Sequence, residues 1–371
     1  MLSITQTRIP QGFIDLGVGH PGLELLPLEA LHQASQALFA QSEPHFLQYG
    51  AEGGDPELRR ELARFLTHHY GAPVPPERLF ISGGISQALD LLCATLTQPG
   101  QSVLVEDPTY FLALGIFRER NLQVVGVPRG DFQALEAALH THRPVLYYTV
   151  PTFHNPTGAS LSHQQRQKLL HLAEEYGFWV IADEVYHLLS YGPPPPPPLG
   201  TMASERMISL GSFSKILAPG LRLGWVQATP GLLERLERAG VVQSGGGLNP
   251  FTGRVVAQAM AMGLQESHLQ RLRKVYSRRL AALLEALSAV RLPVRFQPPQ
   301  GGYFVWLELP PEQDAARLLQ QAREEGVAFQ PGVRFSPSGS FRHALRLCFA
   351  YYPEEGLLEG IRRLERVIAR G

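Results

Sequence analysis

The chain has 371 residues, of which 44% are hydrophobic and 18% are charged, and its formal net charge is zero. This composition is typical of a globular protein with about two domains, and the balanced charge excludes the basic surplus that drives nucleic-acid binding. No apolar run approaches the length of a membrane span, and the opening segment lacks the apolar stretch of a secretory signal. Cys93 and Cys348 lie far apart in apolar runs and indicate buried free thiols, which favours a cytoplasmic location. We expect no nucleic acid, membrane or metal ion as a partner.

From about residue 45 to 230, short apolar runs alternate with amphipathic helical runs. One helix begins with Asp55 as N-cap and Pro56 at its first position; a later one begins with a capping box at Ser162 and Gln165 and ends at Gly177. The runs predicted to be strands are RLFISGG, SVLVEDP, PVLYYTVP, FWVIADE and RMISLGS. This alternation predicts an α/β fold in three layers, a mostly parallel sheet with helices on both faces.

A long helix is predicted over 267–290, followed by strands in GGYFVWLEL, GVAFQPG and ALRLCFAYY and by helices near 312–325 and 353–369. We expect a large domain over residues 45–280 and a smaller α/β domain that combines 1–44 with 281–371. The six prolines at 193–198 predict a polyproline II loop. An SH3-type ligand is one interpretation of this loop, and a stiff surface connection is the favoured one.

Lysine is rare in this chain, since 30 of the 33 basic residues are arginine. Lys168 and Lys274 lie in charged helical stretches, where a solvated lysine needs no further explanation. Lys215 lies in the nearly uncharged stretch SFSKILAPGLRLGW, just after a predicted strand. A bias toward arginine codons explains the other basic positions, but only lysine can lose its proton and act as an amine nucleophile. Lys215 is therefore a candidate catalytic residue.

The residues that follow each strand are informative because ligands bind beyond the carboxyl ends of strands in an open parallel sheet. Gly83 and Gly84 open a helix after LFIS, and free backbone N–H groups there attract an anion such as phosphate; purely structural glycines are the alternative. Asn155 follows VLYYTVP in an Asn-Pro turn, and its amide either serves a ligand or bonds its own backbone. Neither pattern is specific alone.

Two further strand ends carry charged groups. Asp183 follows FWVI, and a carboxylate there is costly unless it meets a positive partner, either an arginine or a protonated ring nitrogen of a ligand. Lys215 has Ser212 and Ser214 before it and Arg222 after it, and these three residues suit a phosphate. Cations near a lysine also lower its pKa, which makes its amine a better nucleophile. An anion cradle, an amide, a carboxylate and an amine together match the phosphate, phenolic oxygen, ring nitrogen and aldehyde of pyridoxal phosphate.

Two other enzyme classes are disfavoured, because the chain has no GxSxG elbow of a serine hydrolase and SGGIS lacks the GxGxxG spacing of a nicotinamide site. The chain instead resembles the fold-type-I pyridoxal-phosphate-dependent aminotransferases of class I/II, in the branch of aminoadipate and multi-substrate aminotransferases and MocR regulators. The motifs that carry this resemblance are YGAEGGDPELR, SGGISQALDL, EDPTYF, VPTFHNPTG, IADEVY, SFSKILAPGLRLGW, PQGGYFVWLEL and LRLCF. The resemblance runs from IDLGVGHPG to ALRLCFAYYPEE and implies an aspartate-aminotransferase-like large domain.

The resemblance also implies roles for the matching residues. Lys215 matches the Schiff-base lysine that moves the substrate Cα proton, and Asp183 matches the carboxylate that keeps the pyridine nitrogen cationic. Asn155 and Tyr186 would hydrogen-bond the phenolic oxygen, and Tyr110 would stack on the ring. The residues implied to hold the phosphate are Gly84, Ile85, Ser86, Ser212 and Arg222, with Tyr49 reaching it across a homodimer interface. Ile85 stands where relatives often carry serine, so only its backbone donor would serve there.

Arg346 matches the arginine that clamps a substrate α-carboxylate, beside the backbone of Gly19. The implied activity is the transfer of an amino group between an L-amino acid and a 2-oxo acid. One alternative on the same scaffold is a lyase or an enzyme like aminocyclopropane-carboxylate synthase. Another is the effector domain of a MocR-type regulator. The regulator is disfavoured because it needs an N-terminal DNA-binding domain, and fewer than twenty residues precede LGVGHPG.

The sequence does not name the amino acid. Recognition of the substrate side chain in this family comes from variable segments, here GHPGLELLPLEAL and QSGGGLNPF, and neither contains an arginine for a second carboxylate. Leu23, Leu25 and Leu26 are candidates for lining an apolar pocket. We expect neutral, hydrophobic or aromatic substrates, with glutamate as a common amino donor.

Overall fold

A computed structural model describes residues 9–41, 43–290 and 294–369 of the chain. The strands are β1 (Ile14–Asp15), β2 (Leu79–Ser82), β3 (Ser102–Asp107), β4 (Gln123–Pro128), β5 (Leu146–Thr149), β6 (Trp179–Asp183), β7 (Met207–Ser212), β8 (Gly224–Gln227), β9 (Arg295–Phe296), β10 (Phe304–Glu308), β11 (Val327–Ala328), β12 (Gln330–Pro331) and β13 (Ala344–Cys348). The α-helices are α1 (Leu28–Ala40), α2 (Pro56–Tyr70), α3 (Ile85–Leu96), α4 (Phe111–Glu119), α5 (Phe132–His142), α6 (His163–Tyr176), α7 (Pro230–Glu237), α8 (Gly240–Gly245), α9 (Pro250–Ala261), α10 (Leu264–Ala289), α11 (Ala315–Glu324) and α12 (Glu354–Ile368). No helix of these described ranges is long and apolar enough to cross a membrane.

Within the described residues, the largest sheet has seven strands in the order β2-β8-β7-β6-β5-β3-β4. All neighbours pair in parallel except β8, which is antiparallel to both β7 and β2. The predicted α/β fold with a mostly parallel sheet is confirmed. Two strands of this sheet, β4 and β8, were not predicted from the sequence. Glycine and proline obscure the apolar pattern of both strands, since β4 contains Gly126 and ends at Pro128, and β8 begins with Gly224.

Helices cover both faces of the large sheet, which makes the three expected layers. Alternate side chains of β3 illustrate this arrangement, because Val103 and Val105 join the apolar cluster with α3, α4 and α7. Leu104, between them, joins the opposite cluster with α5 and α6. Strands buried on both faces need apolar residues at almost every position, which is why these runs were recognisable in the sequence.

The C-terminal part of the chain forms a second, antiparallel sheet in the order β12-β13-β10-β9. The N-terminal segment reaches this region, since β1 pairs in parallel with β11. One apolar cluster runs through both parts of the molecule and includes Leu58 and Ile81 as well as Phe304 and Leu347. The division into residues 45–280 and 1–44 plus 281–371 stays a prediction.

The helix ends follow the local sequence. Asp55 caps α2 by accepting a hydrogen bond from the backbone of Leu58 at 2.9 Å. The capping box of Ser162 and Gln165 is present at the start of α6, and Gly177 ends that helix in the left-handed region. Residues 193–198 form an irregular stretch in which three residues are exposed, two are half-buried and Pro198 is buried.

Candidate active site

Four strands of the large sheet end at the same edge. β5, β6 and β7 are adjacent and parallel, and β2 runs in their direction because it is antiparallel to β8, which is itself antiparallel to β7. The residues at these strand ends therefore lie at one edge of the sheet: Gly84, Asn155, Asp183 and Lys215.

Lys215 is half-buried just beyond β7 and contacts the N-terminal segment. Its Nζ donates a hydrogen bond to the carbonyl oxygen of Gly19 at 2.9 Å and lies 5.5 Å from the ring centroid of Tyr303. Burial lowers the pKa of Lys215 to about 8, and the charges of Arg346 and Arg222 act in the same direction. A substantial fraction of this amine is therefore unprotonated in mildly alkaline solution, as a nucleophile or base requires.

Asp183 ends β6 and is only 4% exposed. Its Oδ2 accepts a hydrogen bond from the Tyr148 hydroxyl at 2.8 Å, and its Oδ1 accepts a longer one from the backbone of Val185 at 3.4 Å. Burial raises the pKa of Asp183 to about 6, while the hydrogen bond from Tyr148 opposes that change. The carboxylate is thus mostly ionised at neutral pH although it is buried, which suits a cationic partner.

The start of α3 and the turn that carries Arg222 form a possible anion cradle. Gly84 is the N-cap of α3, has a φ of +89°, and leaves the first-turn N–H groups without a side-chain cap. A Cβ atom on Gly84 would lie 3.0 Å from Nη2 of Arg222, so the two residues are in close approach. Arg222 is itself exposed and adopts the left-handed region, with a φ of +48°. Ile85 is half-buried and Ser86 is exposed.

Ser212, at the end of β7, links this cradle to the lysine segment. It is buried, and its Oγ donates to Oγ of Ser214 at 2.9 Å and accepts from the backbone N–H of Ser214 at 3.0 Å. Asn249 also belongs to this region, because its Nδ2 donates to the carbonyl oxygen of Arg222. Sequence reasoning assigned Asn249 only to a variable loop, and no pattern around it predicted this contact.

Arg346 lies in the middle of β13 and reaches across to the large sheet. Its Nη1 donates to Oδ1 of Asn155 and its Nη2 to the carbonyl oxygen of Gly17, both at 2.8 Å. The guanidinium carbon lies 3.9 Å from the ring centroid of Phe304. Burial lowers the pKa of Arg346 to about 10, so it is still a cation at neutral pH. Its buried Nε has no hydrogen-bond partner among the described residues.

The backbone of Gly19 was expected beside Arg346, and a second glycine, Gly17, supplies the carbonyl that Arg346 contacts. The carbonyl of Gly19 instead accepts the hydrogen bond from Lys215. Gly19 is nevertheless close, since a Cβ atom on it would lie 3.9 Å from Nη2 of Arg346.

The three tyrosines singled out from the sequence differ from one another in their burial and surroundings. Tyr186 is buried against the rings of Tyr303 and Phe304, with centroid distances of 5.3 and 5.6 Å. Tyr110 is the N-cap of α4, and burial raises its pKa, an effect that the charge of Asp183 increases. Tyr49 is 83% exposed.

The leucines proposed to line an apolar pocket do not act together. Leu23 is 74% exposed, whereas Leu25 is 2% exposed inside the main apolar cluster. Leu25 therefore stabilises the fold. Leu23 and Leu25 therefore do not line one pocket, because the short helical turn that contains them directs them to different surroundings, while Leu26 is half-buried.

Comparison with known proteins identifies the family. The family model for aminotransferase class I and II matches residues 11–364. Aromatic-amino-acid aminotransferase 1 of Thermococcus litoralis is 34% identical, covering 96% of this chain and 88% of the relative. The structure of a kynurenine aminotransferase of Pyrococcus horikoshii in complex with PMP has a TM-score of 0.90 at 34% identity, covering 96% of this chain and 91% of that one. An α-aminoadipate aminotransferase of Thermus thermophilus, complexed with N-(5′-phosphopyridoxyl)-L-leucine, has a TM-score of 0.88 at 34% identity, covering 99% and 95%. The chain belongs to the class I and II aminotransferases and is a fold-type-I, pyridoxal-phosphate-dependent aminotransferase that acts on amino acids and 2-oxo acids.

Proposed function

We propose that Lys215 is the residue that binds pyridoxal phosphate covalently and that the groups around it hold the cofactor and the substrate. The charges and hydrogen-bonding groups at this sheet edge match those of pyridoxal phosphate. The free N–H groups at Gly84 and the guanidinium of Arg222 suit a phosphate, and the buried carboxylate of Asp183 suits a ring N–H. When bound, pyridoxal phosphate supplies an electron sink for a carbanion at the substrate Cα.

Lys215 has two tasks in this proposal. Its amine, with a pKa lowered to about 8, is the nucleophile that holds the cofactor aldehyde. With the substrate bound, Nζ would take the proton from the substrate Cα as general base and would later return a proton as general acid. Arginine at this position cannot perform either task, because its guanidinium stays protonated.

The contact of Asn155 with Arg346 leaves one end of its amide for the cofactor. Its Oδ1 already accepts the hydrogen bond from Arg346, so its Nδ2 is the end that remains to donate to the phenolic oxygen. We assign Tyr186 to the same oxygen and Tyr110 to stacking on the ring, both from the match to the family's motifs. For the phosphate we assign Gly84, Ile85, Ser86, Ser212 and Arg222.

Arg346 is proposed to bind the α-carboxylate. A carboxylate is common to the amino acid and the 2-oxo acid, so a single guanidinium serves both half-reactions. Its unpartnered Nε and the remaining hydrogens of its terminal nitrogens are available to the ligand. The contact with Asn155 then joins substrate binding directly to the group that holds the cofactor ring.

A homodimer with Tyr49 in the partner's site is proposed for two reasons. Tyr49 matches the family's cross-dimer tyrosine, and it is exposed in the single chain, as a residue that serves a partner subunit must be. Further large apolar side chains are exposed in the single chain, and association would cover them. These are Leu23, Leu28, Phe39, Leu47, Val241, Phe251 and Met262. We also propose the two-domain division given above and a cytoplasmic location, supported by the two buried free thiols.

We propose hydrophobic or aromatic amino acids as the preferred substrates, with glutamate as amino donor. Arginines near the N-terminal segment are already engaged: Arg279 pairs with Glu24, and Arg271 donates to the carbonyl oxygen of Glu24 at 3.1 Å. They offer little to a second substrate carboxylate. The relatives named for aromatic amino acids and kynurenine agree with this choice.

The observation that carries the proposal is the convergence of Lys215, Asp183 and the Arg346–Asn155 pair at one sheet edge. The test is to mix the holoenzyme with excess phenylalanine and no 2-oxo acid, and to follow cofactor absorbance and product. A transferase converts the cofactor to pyridoxamine phosphate and forms one equivalent of oxo acid per site. Continuous release of ammonia, with the cofactor unchanged, would show lyase chemistry instead.

A further inference from the structure

The most specific unassigned contact in the site is the hydrogen bond from Tyr148 to Asp183. Tyr148 lies on β5, and its hydroxyl donates to Oδ2 of Asp183 on β6 at 2.8 Å. Tyr148 pairs with Ile181 in the register of the two strands, so Asp183, two residues further on, faces the same side of the sheet. Both side chains are buried.

The position of Tyr148 is fixed by packing. Its ring meets that of Phe117 edge to face at a centroid distance of 5.7 Å, and it lies within the apolar cluster on the α3 side of the sheet. The strand and the packed ring therefore hold the hydroxyl in position to donate to the carboxylate. Without it, Oδ2 would be a buried charged acceptor with no donor, and only the long bond from Val185 would remain, on the other oxygen.

We propose that Tyr148 is a positioning residue for the reaction, whose hydroxyl holds the Asp183 carboxylate ionised and oriented toward the ring nitrogen of the cofactor. This inference rests on the role proposed above for Asp183. Tyr148 occupies Oδ2, so Oδ1, which has only the long bond from Val185, is the oxygen with capacity left to accept from the ring N–H. A hydrogen bond to the charged form of a buried acid favours that form, in agreement with the direction of its effect on the pKa of Asp183.

The test replaces Tyr148 by phenylalanine, which keeps the ring and removes only the hydroxyl. Tyr147→Phe is the matched control, because Tyr147 is the preceding residue of β5 and lies in the apolar cluster on the opposite face of the sheet. The measurement is the affinity of resolved apoenzyme for pyridoxal phosphate as a function of pH, followed by quenching of intrinsic fluorescence, together with the pH profile of kcat.

In Tyr148→Phe we expect the pKa of Asp183 to rise by about one unit, since a hydrogen bond to a charged group is lost. Cofactor affinity should then be about fivefold weaker near pH 6 and should approach that of the natural protein above pH 8, where Asp183 is ionised in both. The acid limb of kcat should move upward by a similar amount with little change in KM. Tyr147→Phe should show neither change.

A loss of affinity that is equal at every pH, or an equal shift in both variants, would overturn the inference. Asp183→Asn separates this failure from that of the proposed function: if that variant binds and uses the cofactor normally, the role of Asp183 itself is wrong. If Tyr148→Phe does not fold, 3-fluorotyrosine at position 148 takes its place. Its more acidic hydroxyl donates more strongly and should move the acid limb to lower pH, and an unmoved limb would contradict the inference.

Discussion

Nη1 of Arg346 and Oδ1 of Asn155 lie 2.8 Å apart and join the C-terminal sheet to the carboxyl edge of the large sheet. The contact brings together residues 191 positions apart in the chain. It places the proposed carboxylate clamp and the proposed ring ligand in one hydrogen-bonded unit. Removal of either partner is therefore expected to affect the other, so substrate and cofactor effects must be measured separately.

Arg346→Ala should raise KM for both the amino acid and the 2-oxo acid by about two orders of magnitude, because a charge-assisted bidentate contact is lost. The cofactor absorbance should change far less. Steady-state kinetics with both substrates and a cofactor spectrum check this. Arg342→Ala is the control, since Arg342 is an exposed arginine paired with Asp314. If KM hardly changes in Arg346→Ala, the carboxylate binds elsewhere, and half-buried Arg334, stacked on Phe111, is the next candidate.

Asp183→Asn should stabilise the apoenzyme while it abolishes turnover. The pKa of Asp183 is raised to about 6 in the fold, above its value near 4 in an unfolded chain, so stability falls as pH rises through this window. The neutral amide avoids that penalty and should add about 3 kcal/mol above pH 7, with little gain near pH 4. Urea unfolding of both apoenzymes across this range measures the difference. A gain of equal size at pH 4 and pH 8 would show that desolvation of the charge is not its cause.

The large sheet and its helices were predictable because buried parallel strands are almost continuously apolar and their helices carry explicit caps, as at Asp55 and Ser162. Lys215 and Asp183 stood out for a related reason: each is a charged residue at the end of such a run. Tyr148 did not stand out, because a tyrosine inside PVLYYTVP looks like any other core residue. Its contact with Asp183 becomes evident only when β5 and β6 are paired in register. The hydrogen bond from Arg346 to the carbonyl of Gly17 likewise depends on tertiary geometry that local sequence does not encode.

Gly84→Ala should weaken cofactor binding about tenfold. Its φ of +89° disfavours any side chain, and the new Cβ would lie 3.0 Å from Nη2 of Arg222, within the proposed phosphate cradle. Equilibrium titration of apoenzyme with pyridoxal phosphate gives the change. Gly220→Ala is the control in the Arg222 turn, because no atom lies within 4 Å of its added Cβ. Equal affinity in the two variants would place the phosphate elsewhere.

Tyr49→Phe should weaken cofactor affinity only in the associated protein, because the hydroxyl is proposed to reach the partner's phosphate. Sedimentation equilibrium should give a dimer, and specific activity should fall on dilution below the dimer dissociation constant. A variant at another exposed apolar position, Met262→Leu, should leave cofactor affinity unchanged. A fully active monomer would contradict the dimer and the role of Tyr49 together.

The covalent attachment of pyridoxal phosphate to Lys215 is the central claim, and the most direct test is reduction of the purified holoenzyme with borohydride followed by peptide mapping. The chain offers three lysines, so the outcome is unambiguous. We predict one modified lysine per chain, at Lys215, in the peptide from the end of β7. Lys215→Arg should fold normally yet give no labelled peptide and no turnover. A label on Lys168 or Lys274, or none in active enzyme, would contradict the account.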